Sequence, residues 1–142
     1  ETMAVEKAAQ LAKDLGALKC VFLPMSTPSH TEMLEPAAGM LRKELESLTL
    51  GHLNIPVICN VTADYIASED EITDLLCRQV MSSVLWEHTI QRMIKDGVEH
   101  FVELGPGKTL SGFVKKIDRS LKVYHVEDRA SLLETVSALE KI

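Results

Sequence analysis

Short apolar runs alternate with amphipathic helical patterns along this chain, and this alternation constrains its fold more than any other feature. A continuous apolar run with β-branched residues falls at 55–61, and two further strand-like segments fall at 100–104 and 122–126. Such runs are typical of strands buried on both faces of a parallel sheet. Between them, apolar residues recur every three or four positions, the period of a helix with one buried face. The pattern therefore predicts an α/β fold with a mainly parallel sheet.

The same patterns predict the order of the elements. A helix over 3–16 precedes a short strand over 19–24, and a long helix begins between Thr31 and Pro36 and ends near Leu48. A capping box, Ser68-Glu69-Asp70-Glu71, opens the next helix. The remaining predicted elements are a strand at 55–61, a helix from Trp86 to Ile94, a strand at 100–104, a helix at 108–117, a strand at 122–126 and a helix at 131–142.

Composition excludes several classes of protein. The chain has 142 residues, is 46% apolar and carries a net charge of −6. This length and apolar content predict one domain with a packed core, and the acidic balance argues against a nucleic-acid binder. No apolar run approaches the roughly 18 residues of a membrane-spanning helix, and the N-terminus does not resemble a signal peptide. Cys20, Cys59 and Cys77 form no CxxC pair, which indicates reduced core thiols in the cytosol.

His30 is the leading candidate for chemistry. It lies between an extended apolar run and an amphipathic helix, where an imidazole is well placed to act as a general base. However, no serine of the chain lies in a G-x-S-x-G elbow, so the local pattern leaves a structural and a catalytic interpretation open. The five histidines form no metal-binding pair, and we predict no metal site.

A glycine-rich turn and a basic cluster each allow two interpretations. Gly107-Lys108-Thr109 lacks the earlier glycine of a phosphate-binding loop, because Val102 occupies that position. We predict a tight turn, with a helix N-terminus that faces an anionic ligand as the alternative. The basic cluster comprises Lys108, Lys115, Lys116, Arg119 and Lys122. It is either a solvated helix face or a docking patch for an acidic partner or nucleotide phosphates.

Four motif blocks follow one another in order over most of the chain. They are Leu23-Pro24-Met25-Ser26-Thr27-Pro28-Ser29-His30 followed by Met33, Glu35 and Pro36; Ile55-Pro56-Val57 with Asn60-Val61; Arg78-Gln79 with Trp86; and Glu103-Leu104-Gly105-Pro106-Gly107-Lys108-Thr109-Leu110. Gln79 follows His30 by 49 positions. In this order and with this interval, the blocks resemble the C-terminal half of bacterial-type malonyl-CoA:acyl carrier protein transacylases.

The resemblance implies covalent, ping-pong acyl transfer. In the family, a serine in a G-H-S-x-G elbow attacks the thioester of malonyl-CoA, and the acyl group then passes to the phosphopantetheine thiol of acyl carrier protein. His30 matches the general base of this reaction. Gln79 matches the residue whose main-chain carbonyl orients that histidine, in the role that aspartate has in a protease triad. Malonyl-CoA and phosphopantetheine are substrates, and the resemblance implies no cofactor.

The resemblance also implies a division of the chain. Residues 1–24 correspond to the last helix and strand of a small ferredoxin-like subdomain, and 25–142 to part of a larger α/β hydrolase-like subdomain. The serine, the oxyanion donors and the arginine that binds the malonyl carboxylate then belong to an N-terminal half. Alone, this chain is expected to be inactive and to expose apolar surface that the other half covers.

We expect a cytoplasmic enzyme of fatty acid biosynthesis. Two alternatives remain open from the sequence. One is a non-catalytic module that binds carrier protein, and the other is a polyketide synthase acyltransferase of different acyl specificity.

Overall fold

The computed structural model describes residues 2–25 and 27–142; Glu1, and Ser26 of the first motif block, lie outside the described residues. Helices and short strands follow one another along the chain, and 3-10 turns at Glu32–Leu34 and Glu69–Glu71 lead into α2 and α3. The helices are α1 Thr2–Asp14, α2 Glu35–Glu46, α3 Ile72–Met81, α4 Trp86–Lys95, α5 Thr109–Ile117 and α6 Arg129–Leu139. The strands are β1 Ile58–Cys59, β2 Asp64–Tyr65, β3 His100–Leu104 and β4 Lys122–Val126.

Strands β3 and β4 form the parallel pair that the sequence predicts. His100 pairs with Lys122 and Leu104 with Val126 in parallel register. Because parallel strands need a crossover connection, α5 lies between them in the chain. The buried core forms on this unit, around Ile90 of α4, Val114 of α5 and Leu121. The predicted α/β architecture is thus confirmed.

Two predicted strands differ from the structure. The sequence predicts a short strand over 19–24, but within this described segment no strand forms, and Val21, Phe22 and Leu23 are exposed. In the apolar run at 55–61, only Ile58–Cys59 is a strand, and it pairs antiparallel with β2. Both predictions relied on apolar, β-branched composition. A strand also needs a partner for its backbone hydrogen bonds, and composition does not supply one.

Helices α2 and α3 pack side by side and run in opposite directions. Arg42, late in α2, forms an ion pair of 3.0 Å with Asp74, early in α3. At the other end of the pair, the segment just before α2 contacts the last turn of α3. This arrangement brings His30, which precedes α2, to the C-terminal end of α3.

Much apolar surface is exposed, as the family resemblance implies. No residue of α1, which is described over its whole length, is buried. Leu15 and Leu104 are 89% and 77% exposed, although Leu104 lies in a strand of the core sheet. Exposed apolar surface of this kind marks an interaction face in many proteins.

Candidate functional site

His30 is held at a turn by hydrogen bonds to a distant helix. Its backbone N–H donates to the carbonyl oxygen of Val80, at 3.2 Å. Its φ of 62° lies in the left-handed region, which residues other than glycine seldom occupy. Next to it, the Thr31 hydroxyl donates to the carbonyl of Pro28 at 2.7 Å. The turn therefore has a defined conformation that presents an exposed imidazole.

The imidazole of His30 contacts a main-chain carbonyl. Its Nδ1 atom lies 3.0 Å from the carbonyl oxygen of Gln79. A carbonyl oxygen only accepts hydrogen bonds, so Nδ1 carries the proton in this contact. In the neutral ring, Nε2 then bears the lone pair and is free to accept a proton. The structure thus brings together the two residues that the sequence singles out, in a geometry suited to a general base.

The end of α3 explains why these carbonyls are available. The last carbonyls of a helix lack intrahelical partners. Ser82, at the C-cap of α3, is extended with φ of −111° and ψ of 153°, so the helix does not continue past Met81. The carbonyls of Gln79 and Val80 instead accept hydrogen bonds from the side chain and backbone of His30.

A residue outside the predicted site contacts Gln79. The Asn60 side chain donates from Nδ2 to Oε1 of Gln79 at 3.4 Å. Asn60 belongs to the second motif block, but its spacing alone does not show which residue it contacts. The sequence offers one sign that Asn60 has a role: it is a polar residue directly after a short strand, among apolar neighbours.

The relatives described here carry the name of one enzyme. No family model matches the chain. A malonyl CoA-acyl carrier protein transacylase from Bacillus subtilis is 39% identical over 137 residues, which are 96% of this chain and 43% of the relative. The enzyme of the same name from Escherichia coli K12 is 40% identical over 114 residues, 80% of this chain and 37% of the relative. The chain is homologous to part of the malonyl CoA-acyl carrier protein transacylases. It spans about two-fifths of the length of these relatives.

Solved transacylase structures agree with this relationship. The crystal structure of the Clostridium perfringens enzyme superposes with a TM-score of 0.89 and 43% identity, over 97% of this chain and 43% of that one. A malonyl-transacylase in complex with a type II polyketide synthase acyl carrier protein gives a TM-score of 0.88 at 36% identity, over 99% of this chain and 44% of that one. The described fold is therefore that of the matching part of a transacylase.

The Gly-Pro-Gly loop of this transacylase homologue is a tight turn, as predicted. Gly105 and Gly107 have φ of 139° and 82°, values that favour glycine. The Glu103 carboxylate accepts hydrogen bonds from the backbone N–H groups of Leu110 and Ser111, at 3.1 and 2.8 Å, in the first turn of α5. The internal carboxylate of Glu103 therefore takes up two of the N–H groups at this end of the helix, and the alternative, an N-terminus that faces an anionic ligand, stays a prediction.

Hydrogen bonds also explain the ionisation of Glu103. Its carboxylate accepts a short hydrogen bond from the Ser111 hydroxyl, in addition to the two backbone N–H groups. These contacts, that of the Ser111 side chain above all, lower the pKa of Glu103 below its ordinary value. A second carboxylate, that of Glu127, accepts from the backbone N–H of Gly107 at 2.9 Å and fixes the other side of the loop. The loop is therefore held by this chain's own residues.

Two lysines of the basic cluster, Lys115 and Lys116, make different contacts. The Lys115 ammonium donates to the carbonyl oxygens of Arg119, at 3.2 Å, and of Leu121. Lys115 thus caps the chain after α5, where carbonyls lack helical partners. Lys116 instead lies over the Phe113 ring, 5.5 Å from its centroid, beside an open groove between α4 and α5. Of the two lysines, only Lys116 presents its charge at this groove.

Among residues 2–25 and 27–142, no group of three or more histidine, cysteine, aspartate or glutamate side chains is placed to hold a metal ion. None of the helices in these residues combines the length and the apolar character that a membrane span requires. Cys59 and Cys77 are buried free thiols, and Cys20 is half-buried.

Proposed function

We propose that this chain supplies the general-base part of a malonyl-CoA:acyl carrier protein transacylase. The observation that carries the proposal is the contact between His30 Nδ1 and the Gln79 carbonyl oxygen. It fixes the protonated nitrogen and leaves Nε2 to accept a proton. The homology to transacylases over about two-fifths of their length supports the proposal that the remaining groups belong to a longer enzyme.

The proposed reaction has two half-reactions at one serine outside this chain. In the first, Nε2 of His30 takes the serine proton as the hydroxyl oxygen attacks the malonyl thioester carbonyl. The carbon–sulfur bond breaks, coenzyme A leaves, and the imidazolium returns a proton to its thiolate. In the second half-reaction, His30 deprotonates the phosphopantetheine thiol of the carrier protein, whose sulfur attacks the carbonyl of the malonyl-serine ester. The carbon–oxygen ester bond breaks, and the imidazolium returns the proton to the serine oxygen.

The family resemblance supports the identity of the substrates. We propose malonyl-CoA as acyl donor and acyl carrier protein as acceptor, because both appear in the names of the relatives. The similar transacylase in complex with a carrier protein supports this choice of acceptor. The reaction needs no cofactor beyond these substrates, and we place it in the cytoplasm, in fatty acid biosynthesis.

We also propose the division of the chain that the sequence predicts. Residues 1–24 belong to a small ferredoxin-like subdomain and residues 25–142 to an α/β hydrolase-like subdomain. Two observations support this boundary. None of the residues of α1, all of them described, is buried, and the core lies in the later segment, around Ile90 and Val114.

Covalent labelling tests the proposed function. The full-length enzyme, meaning the protein that contains this chain together with the rest of a transacylase, is incubated with malonyl-CoA radiolabelled in the malonyl group. We expect one labelled serine, located by peptide mass spectrometry, and loss of the label when acyl carrier protein is added. A full-length protein that binds carrier protein but takes up no label would instead support the non-catalytic module. The 142-residue chain by itself is expected to take up none.

A further inference from the structure

Asn60 lies where three segments of the chain meet. It directly follows β1 and is half-buried. Its side chain donates to the side chain of Gln79, in the last turn of α3, at 3.4 Å. Its main-chain carbonyl accepts from the N–H of Leu85, just before α4, at 2.9 Å. One residue thus contacts both ends of the connection between α3 and α4.

These contacts bear on the carbonyl that orients His30. A main-chain carbonyl points where its peptide plane points, and at the end of a helix that plane is less constrained than in the interior. The side chain of Gln79 is attached to the same residue whose carbonyl accepts from His30. Fixing this side chain limits rotation of the last turn of α3, and the bond to Leu85 limits movement of the connection that follows.

We propose that Asn60 is a positioning residue for the general base, acting through the side chain of Gln79. The proposal rests on the proposed role of His30. Asn60 touches neither substrate nor reacting atoms in this scheme. It keeps the Gln79 carbonyl directed at Nδ1, so that the proton stays on Nδ1 and Nε2 stays available. Removing it is expected to slow proton abstraction without weakening substrate binding.

A double-mutant cycle in the full-length enzyme tests the proposal. Asn60→Ala and Gln79→Ala each remove one half of the side-chain contact, and Gln79→Ala keeps the main-chain carbonyl. We expect each to lower the rate constant of serine acylation roughly tenfold, as when a partner that orients a histidine is lost. The dissociation constant for malonyl-CoA should not change. The double variant should be no slower than either single one, because both act through one contact.

A matched control and a stability measurement separate positioning from folding. Asn54→Ala removes a side-chain hydrogen bond of the same length, 3.4 Å, in an exposed loop, and is expected to acylate at the normal rate. Thermal unfolding identifies any variant that loses its fold. If Asn60→Ala unfolds, the acylation rate of Gln79→Ala tests the proposal, because this variant removes the same contact from the other side. Normal acylation by a folded Asn60→Ala or by Gln79→Ala, or additive effects in the double variant, would overturn the proposal.

Nitrogen NMR of the imidazole supplies a structural readout. In the parent enzyme the His30 ring should be protonated on Nδ1 when neutral, and Asn60→Ala should increase the fraction protonated on Nε2. An unchanged tautomer ratio contradicts the proposal. His30→Ala, measured in parallel, separates the two hypotheses. If it acylates normally, the proposed function of His30 fails; if it alone is slow, only the role of Asn60 fails.

Discussion

The Nδ1 atom of His30 and the main-chain carbonyl oxygen of Gln79 lie 3.0 Å apart, across 49 positions of sequence. The acceptor is a neutral backbone group and not a carboxylate, so it orients the ring without adding a full negative charge. Every residue type carries a main-chain carbonyl. The contact with His30 therefore depends on where the backbone directs the carbonyl of residue 79. The proposed role of His30 therefore depends on the geometry of the C-terminal end of α3.

Replacing the base should slow the chemical step. In the full-length enzyme, His30→Ala is expected to lower the rate of serine acylation by roughly two to four orders of magnitude, the usual share of general acid–base catalysis. Rapid-quench measurement of the malonyl-enzyme checks this. The matched control is His88→Ala, a substitution of an exposed histidine on α4. If both variants acylate at the parental rate, His30 is not the base.

Carrier-protein binding should depend on Lys116. Its charge lies beside the open groove between α4 and α5, where an acidic partner would meet it. In the full-length enzyme, Lys116→Glu is expected to raise the KM for acyl carrier protein about threefold to tenfold and to leave the KM for malonyl-CoA unchanged. Steady-state kinetics with each substrate varied in turn measures both values.

A matched charge reversal on another helix gives the control for this surface. Lys43→Glu, on α2, changes the net charge by the same amount outside the basic cluster. The docking hypothesis is wrong if the KM for carrier protein is the same in the Lys116→Glu enzyme as in the parent. It is also wrong if both reversals raise it equally, since that effect would follow from net charge alone.

Lys115 should contribute to stability and not to docking. Its ammonium donates to the carbonyls of Arg119 and Leu121, beyond the end of α5. Lys115→Met keeps the aliphatic chain and removes these hydrogen bonds, which should cost about 1 kcal/mol in the free energy of unfolding. Urea denaturation of the full-length enzyme measures the difference, with Lys116→Met as the control. Equal destabilisation by the two changes would argue against a specific cap.

The carboxylate at the start of α5 should make stability sensitive to acid. Hydrogen bonds from Ser111 and Leu110 lower the pKa of Glu103 below its ordinary value of 4.5. The folded state thus favours the ionised form, so the stabilisation is fully present above the ordinary pKa and is lost as the pH falls through the lowered one. Glu103→Gln keeps an acceptor but removes the charge, and the variant should therefore lack this acid-dependent component.

Denaturation at two pH values checks the sign of this effect. The difference in free energy of unfolding between the parent and Glu103→Gln should be largest near pH 7 and should shrink below about pH 4.5. Glu134→Gln, on an exposed position of α6, is the matched control. A difference between the parent and Glu103→Gln that stays constant with pH would show that its charge does not stabilise α5.

The apolar periodicity of the sequence predicted most of the helices and the two strands of the parallel pair. The helices α3, α4 and α5 and the strands β3 and β4 lie close to their predicted positions, because apolar periodicity records which face of an element is buried. The motif blocks selected His30 and Gln79 as candidates, and the structure brings these two residues together. The roles of both residues, and the subdomain boundary near residue 24, stay predictions.

The tertiary structure alone decided the features that depend on contacts between distant segments. The antiparallel pairing of Ile58–Cys59 with Asp64–Tyr65, the left-handed backbone of His30 and the use of Lys115 as a cap follow from which groups meet in space. Hydrogen bonds across long intervals leave no periodic signal in a sequence. For this protein, the sequence by itself determined the alternation of helices and strands and the candidate base. Only the packing of α2 against α3 shows that the side chain of His30 reaches the main-chain carbonyl of Gln79.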